Sequence, residues 1–183
     1  MKVFKWAPWL ACLLPTIADA QQPAPPSTGK LAACPQCAEM NAEHEPFRVY
    51  GNTYYVGMAG ISAILIASAE GHVLLDGGLP ESAILIAKNI TKLGFDPDDI
   101  KLIVTSHEHF DHVGGVAALQ KATNAAVAAS AMGAQALQQG GPTPEDPQFS
   151  ADRESTAYPP VEKVRVVTDG ESLRVSRLQE DGT

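Results

Sequence analysis

The run "SHEHFDHVGG", residues 106–115, gathers three of the chain's five histidines and one aspartate. His107 and His109 are two residues apart, so on extended backbone their rings project to the same side and can share one metal ion. Asp111 and His112 follow after a turn and can face a second ion close by. Imidazole suits zinc, and one carboxylate among imidazoles is a donor mixture of catalytic rather than structural zinc sites. The run follows "DIKLIVTS", a buried-strand pattern. That places the cluster beyond the carboxyl end of a strand, where open α/β sheets bind their ligands. Gly114 and Gly115 are expected to let the backbone turn tightly into the next helix. A single histidine here would read as a solvated or capping residue. Three with an aspartate, at H-x-H-x-D-H spacing after a strand, read as a metal site.

The remaining polar candidates are more ambiguous. Asp76 in "LLDGG" ends a buried strand. It could orient a metal ligand from behind or simply form a turn before glycines. His72 follows Gly71 at a turn and is expected to be exposed, and His44, between two glutamates, is a remote candidate ligand. Ser106 and Ser130 lack an evident base-plus-acid arrangement, so a serine nucleophile is not expected. Cys34 and Cys37 stand as "CPQC". A redox motif would want a βαβ context, and four-thiolate zinc would want a second pair. A local disulfide, or pairing with something outside this segment, is the expectation. "LAAC" at 31–34 resembles a lipid-attachment box, but a polar, Pro-rich stretch separates it from the apolar region.

The elements that must carry the cluster are legible in the apolar pattern. "FRVY" and "TYYVG" flank Gly51-Asn52 as two short strands around a turn. "ISAILIASAEGHVLLDGG" gives two apolar runs broken at Glu70-Gly71, a hairpin signal. "PESAILIAKNITKLGF" starts with Pro80, spaces its apolar residues helically and stops at Gly94. "GGVAALQKAT" predicts a helix, "AAVAAS" a strand and "AMGAQALQQG" another helix. "GPTPEDPQFSADRESTAYPP" is a long polar loop, a length that usually signals function or disorder. "EKVRVVTDGESLRV" predicts a final hairpin around Asp169-Gly170. Hairpins followed by strand–helix alternation define a mixed α/β fold.

Bulk properties set the outer bounds. A length of 183 residues suffices for one domain with a sizeable core. A hydrophobic content of 45% with 19% charged residues is ordinary for a globular protein. The net charge of −8 argues against nucleic acid and anionic membrane surfaces as partners. "MKVFKWAPWLACLLPTIADA" has Lys2 and Lys5 before an apolar stretch and ends in Ala18-Asp19-Ala20. This is the pattern of a secretory signal peptide cut after Ala20, its apolar run being too short to span a bilayer. The expected organisation is a signal peptide over 1–20, a Pro-rich linker over 21–40 and a domain over 41–183. The mature protein is expected in the periplasm, off the membrane after cleavage.

"SHEHFDHVGG", preceded by "LLDGG" and a helix, resembles the metallo-β-lactamase superfamily. "PFRVYGNTYYVGMAGISAILIASAEGHVLLDGG" is similar to the third subclass of the class B β-lactamases. The resemblance covers Asn41–Val175 and implies an α/β fold, the N-terminal half of an αββα sandwich. It implies His107 and His109 as ligands of one zinc, and Asp111 and His112 as ligands of a second. Asp76 would be the supporting aspartate, and Asp111 the catalytic residue that also orients the nucleophile. Two zinc ions are expected per complete domain, with a metal-bound hydroxide opening the amide of a small-molecule β-lactam. Family members carry a further histidine for each zinc in the C-terminal half, and no histidine follows His112 here. The chain is therefore expected to be a truncated or frame-shifted copy, inactive as it stands, with "SRLQEDGT" an out-of-frame tail. The alternatives are a thioesterase, glyoxalase-type enzyme or lactonase of the same superfamily, or a non-catalytic zinc-binding remnant.

Overall fold

A computed structural model describes residues 34–149 and 156–175. Seven strands form one sheet in sequence order: β1 Phe47–Tyr50, β2 Thr53–Tyr55, β3 Ile64–Ile66, β4 His72–Leu75, β5 Ile100–Val104, β6 Ala126–Ala129 and β7 Val164–Val166. β1 to β4 pair antiparallel, and β4 to β7 pair parallel. The switch follows from the connections. Gly51 and Gly71 hold positive φ at the tight turns that join antiparallel neighbours. Parallel neighbours need long crossovers, and these contain α2 Ser82–Lys92, α3 Phe110–Val113, α4 Val116–Thr123 and α5 Ala131–Gln139. The predicted order of hairpins followed by strand–helix alternation is therefore the observed architecture.

The core lies between the sheet and these helices. Ile86 and Ile90, one turn apart on α2, are both fully buried. They share the core with Leu74, Ile103 and Val127 from β4, β5 and β6. Asn89 on the same face donates from Nδ2 to the carbonyls of Val56 and Gly57 at 3.1 and 3.2 Å, which ties α2 to the chain between β2 and β3. Leu74 is completely enclosed, so Leu74→Ala removes three carbons from a site with no solvent to fill it. The expected cost is about 2–5 kcal/mol, read as a lower denaturation midpoint at unchanged slope. A loss below about 1 kcal/mol would mean that β4 is not the centre of the core.

Several expectations are revised. Only one strand of the final hairpin forms among the described residues. β7 is followed by a turn, Glu171 N–H to Thr168 O at 3.1 Å, that Arg165 and Glu171 hold by an ion pair, and residues 171–175 add no strand. His72 is buried rather than exposed: it accepts from Ser68 N–H at Nδ1 and sets its ring edge against Phe95. Cys34 and Cys37 form the local disulfide. Ordered structure already includes α1, Cys37–Met40, whose last residue accepts a hydrogen bond from Gly60 N–H. The signal-peptide and most of the linker segments lie outside the described residues, as does the terminal "SRLQEDGT".

Candidate metal centre

The site is built where two parallel strands end side by side. Leu75 on β4 lies opposite Val104 on β5, so the next residue, Asp76, meets the chain leaving β5. Its N–H donates to Val104 O at 3.0 Å. Asp76 sits in the left-handed region at φ +62°, a conformation aspartate tolerates better than most residues. Its Oδ1 accepts from Ser106 N–H at 2.7 Å. Its Oδ2 accepts from Ser106 Oγ–H at 2.7 Å and from His112 Nδ1–H at 3.0 Å.

That arrangement fixes two imidazole tautomers. Ser106 Oγ also lies 2.9 Å from His107 Nδ1. The hydroxyl has one proton, and the carboxylate can only accept it, so His107 Nδ1 must donate to the serine oxygen. His107 and His112 thus hold their protons on Nδ1 and keep the Nε2 lone pairs, the form a metal requires. The rings are adjacent: His107 lies 4.6 Å from His109 and 4.0 Å from His112 between centroids. Asp111 Oδ2 lies 3.7 Å from His112 Nε2, and Asp146 Oδ2 lies 3.3 Å from His109 Nε2.

Two glycine pairs hold the loops together. Gly77 N–H donates to His112 O at 2.7 Å, and Gly115 N–H donates to Gly78 O at 3.2 Å. A Cβ on Gly115 would be driven into the Gly77 carbonyl, and one on Gly77 would lie 2.9 Å from Val116 N. Gly114 and Gly115 themselves hold helical angles, φ −55° and −85°. The expected tight turn is therefore not why they are glycine. They permit backbone-to-backbone approach, which sets Asp76 against His112.

The electrostatics follow from those contacts. Burial works to raise the Asp76 carboxyl, but hydrogen bonds from His112 and Ser106 outweigh it and hold the group below its ordinary range. His112 is raised, by its bond to Asp76 against the opposing effect of burial. His107 is lowered by burial, then by the charges of His112 and His109. In the folded metal-free chain His112 should therefore titrate above about 6.5 and His107 below it. Ring-proton NMR across that range would show the order directly, and the reverse order would contradict the tautomers given above. The sign for stability follows. The Asp76–His112 contribution is complete between about pH 4 and about 6.5. It fades as pH rises through the raised value of His112, and as pH falls through the lowered value of Asp76.

The residues expected from the sequence divide clearly. His107, His109, Asp111, His112 and Asp76 come together. His44 does not join them; its ring packs on Tyr55 and Phe47. Ser130 caps α5, accepting from Gly133 N–H at 3.1 Å. Ser106 does have a carboxylate and an imidazole beside it, contrary to expectation, but its proton goes to Asp76, so it anchors His107 rather than attacks. Asp146, buried in the long loop after α5, was not legible as a site residue. The donor set fits zinc in kind, since it consists of imidazoles and a carboxylate. Among the described residues, no three His, Cys, Asp or Glu side chains converge as one metal site. A catalytic zinc takes three protein ligands.

Imidazoles are anchored from behind by a serine and a carboxylate, at the carboxyl ends of adjacent parallel strands. The chain belongs to the metallo-beta-lactamase superfamily, which its sequence matches over residues 56–180. Among solved structures, it is similar to the Rm3 metallo-beta-lactamase: 52% identical, TM-score 0.74, covering 78% of this chain and 52% of that one. It is also similar to the metallo-beta-lactamase MIM-1 from Novosphingobium pentaromativorans: 48% identical, TM-score 0.70, covering 75% of this chain and 50% of that one. An N-acyl homoserine lactonase of Bacillus thuringiensis is 32% identical over 28% of this chain and 30% of its own length. The chain thus spans about half the length of the solved structures it matches, and less than a third of the lactonase.

Proposed function

We propose that this chain carries the zinc-binding loop of a hydrolase that opens the amide of β-lactams, with His107 and His109 serving one ion and Asp111 and His112 a second. The observation that supports this most is the anchoring of His107 and His112 at Nδ1, which leaves both Nε2 atoms as ligands. The 52% identity to the Rm3 metallo-beta-lactamase supports the substrate class. Zinc, when bound, supplies Lewis acidity and lowers the pKa of water. The chain's own groups do the rest. Ser106 and Asp76 keep the two Nδ1 protons in place, so neither ring can turn its lone pair away. Asp111, about one quarter exposed, is placed to accept a hydrogen bond from the attacking water and orient it.

The similarity to the lactonase supports a second reading, hydrolysis of an acyl lactone at the same site. Because the described residues supply only two donors per ion, a third reading is metal binding without turnover. One set of measurements separates them. The purified chain is given a chromogenic cephalosporin, an acyl homoserine lactone and a thioester, each with and without chelator, alongside a zinc titration. Chelator-sensitive opening of the cephalosporin supports the first reading, and preferential lactone opening supports the second. Zinc binding with no turnover supports the third, and no zinc binding would overturn all three. We also propose export to the periplasm, on the signal-like first 20 residues. A mature N-terminus other than Gln21 would count against it.

A further inference from the structure

The segment before β1 runs beside α2 and keeps step with it. Glu43 pairs with Lys88 at 3.1 Å, Asn89 Nδ2 donates to His44 O at 3.3 Å, and Lys92 pairs with Glu45 at 2.8 Å. Exposed ion pairs of this kind add little by themselves. A firmer attachment lies at the start of the helix. Gly60 N–H donates to Met40 O at 3.0 Å and Ala59 N–H to Ala42 O at 2.9 Å, so the backbone is held on both sides of Asn41. Between those two bonds, Asn41 Oδ1 accepts from Ser82 Oγ–H at 2.6 Å.

Ser82, the first residue of α2, is fully buried. Its hydroxyl has one proton, and giving it to Asn41 leaves the oxygen lone pairs for the backbone. Leu79 N–H donates to that oxygen at 2.9 Å. On the other side of the same peptide unit, Gly78 O accepts from Gly115 N–H at 3.2 Å. A peptide unit is planar, so its N–H and its C=O cannot turn independently. Whatever fixes the Leu79 N–H therefore also fixes the carbonyl that holds Gly115, just beyond His112. One residue earlier, Gly77 N–H holds His112 O itself. A Cβ on Gly78 would lie 2.6 Å from Ser82 Oγ, so the serine backs this turn closely.

We propose that Asn41 is a positioning residue for the histidine loop: by taking the Ser82 proton, it locks the Gly78–Leu79 peptide in the orientation that grips Gly115. What the grip serves rests on the zinc reading given above. Asn41 lies outside residues 56–180, the stretch that matches the superfamily, so the requirement is additional to the H-x-H-x-D-H motif. It acts through Ser82 and a backbone plane rather than through contact with metal or substrate.

Two substitutions separate this role from simple packing. Asn41→Asp keeps Oδ1 as the acceptor, beside a helix start where negative charge is tolerated. Asn41→Leu keeps about the same bulk and removes the acceptor. The Ser82 proton must then compete for nearby backbone carbonyls, and the lone pair offered to Leu79 N–H turns away.

Amide hydrogen exchange of the metal-free 183-residue chain, followed by NMR, reads the effect residue by residue. Asn41→Leu should speed exchange at Leu79 and Gly115 by about tenfold, the size of one hydrogen bond, while Ile103 in β5 keeps its rate. Asn41→Asp should leave all three close to wild type. Added to Ser82→Ala, which already cuts the relay, Asn41→Leu should change Gly115 no further. With Co(II) as the metal probe, Asn41→Leu should weaken binding by about 2- to 30-fold, and Asn41→Asp should not. Unchanged exchange at Gly115 in Asn41→Leu, or an equal rise at Ile103, would overturn the proposal. So would an Asn41→Asp as damaging as Asn41→Leu, or unchanged Co(II) affinity in a chain that binds the ion. A wild type that binds no Co(II) would overturn the zinc reading instead, and the exchange pattern alone would then decide the relay.

Discussion

Asp111→Ala should weaken metal binding at the cluster by at least about a hundredfold, and bring any β-lactam opening by this chain to background. The size follows from comparison with outer-sphere changes. Removing a group that only orients a ligand costs about 10- to 100-fold in affinity or activity, and removing a ligand outright lies at or beyond the top of that range. On the zinc reading proposed above, Asp111 would orient the attacking water as well as bind zinc, so its loss would remove both contributions. The stability of the fold should hardly change. The side chain is 23% exposed, and the ion-pair neighbour recorded for it among the described residues, His112 Nε2, is 3.7 Å away. Away from packed or networked positions, such changes stay within about 0.5 kcal/mol. Affinity by Co(II) titration and melting temperature should therefore separate, the first collapsing and the second holding. Retained affinity would show that Asp111 is not a ligand. A fall of both together would show that it supports the fold. Asp111→Asn sharpens the case, because it keeps an oxygen of the same reach and loses the charge.

How much of this was legible beforehand depends on how local each signal was. Short apolar runs in "FRVY", "TYYVG", "ISAILIAS" and "HVLLDGG", with Gly51 and Gly71 at the breaks, were enough to place β1 to β4, because tight turns are set by neighbours in sequence. α2 was equally readable, with Pro80 before it and Gly94 after it at positive φ. The ligand cluster was readable because its residues lie within one short run. The parts that escaped are long-range. His72 follows a turn, yet it is buried because Phe95, on the far side of α2, packs on its ring. Ser106 looked inert without Asp76, thirty residues earlier, to take its proton. Asp146 looked like one more polar residue in a loop, since nothing nearby in sequence marks the oxygen that faces His109. The strand expected in "SLRV" does not form among the described residues, although β7 offers its outer edge, because β propensity alone does not commit a short segment to pairing.

Gly115→Ala tests the least local of these features. Two opposed effects meet at that residue, and their magnitudes decide the sign. Gly115 precedes α4 with helical angles, so in open surroundings alanine would be preferred by up to about 1 kcal/mol. Here the added Cβ would run into the carbonyl oxygen of Gly77 and crowd that of Leu79. Both obstacles are backbone and cannot swing aside as a side-chain end could. Overpacking of this kind costs about 1–3 kcal/mol, occasionally more, and exceeds the propensity gain. The expected outcome is a net loss of about 1–2 kcal/mol in chemical denaturation. The strain should be relieved where the two loops meet, lengthening the bonds from Gly77 N–H to His112 O and from Gly115 N–H to Gly78 O. Asp76 would then draw away from His112, and the raised titration of His112 should fall back toward the ordinary histidine value. Gly141→Ala is the control, since a Cβ there meets nothing closer than 4.0 Å and the φ is not positive. It should be neutral or slightly stabilising. If Gly115→Ala were equally harmless and His112 kept its titration, the diglycine contact could not be what sets Asp76 against the histidine. The supporting network would then have to be held by the β4–β5 register alone.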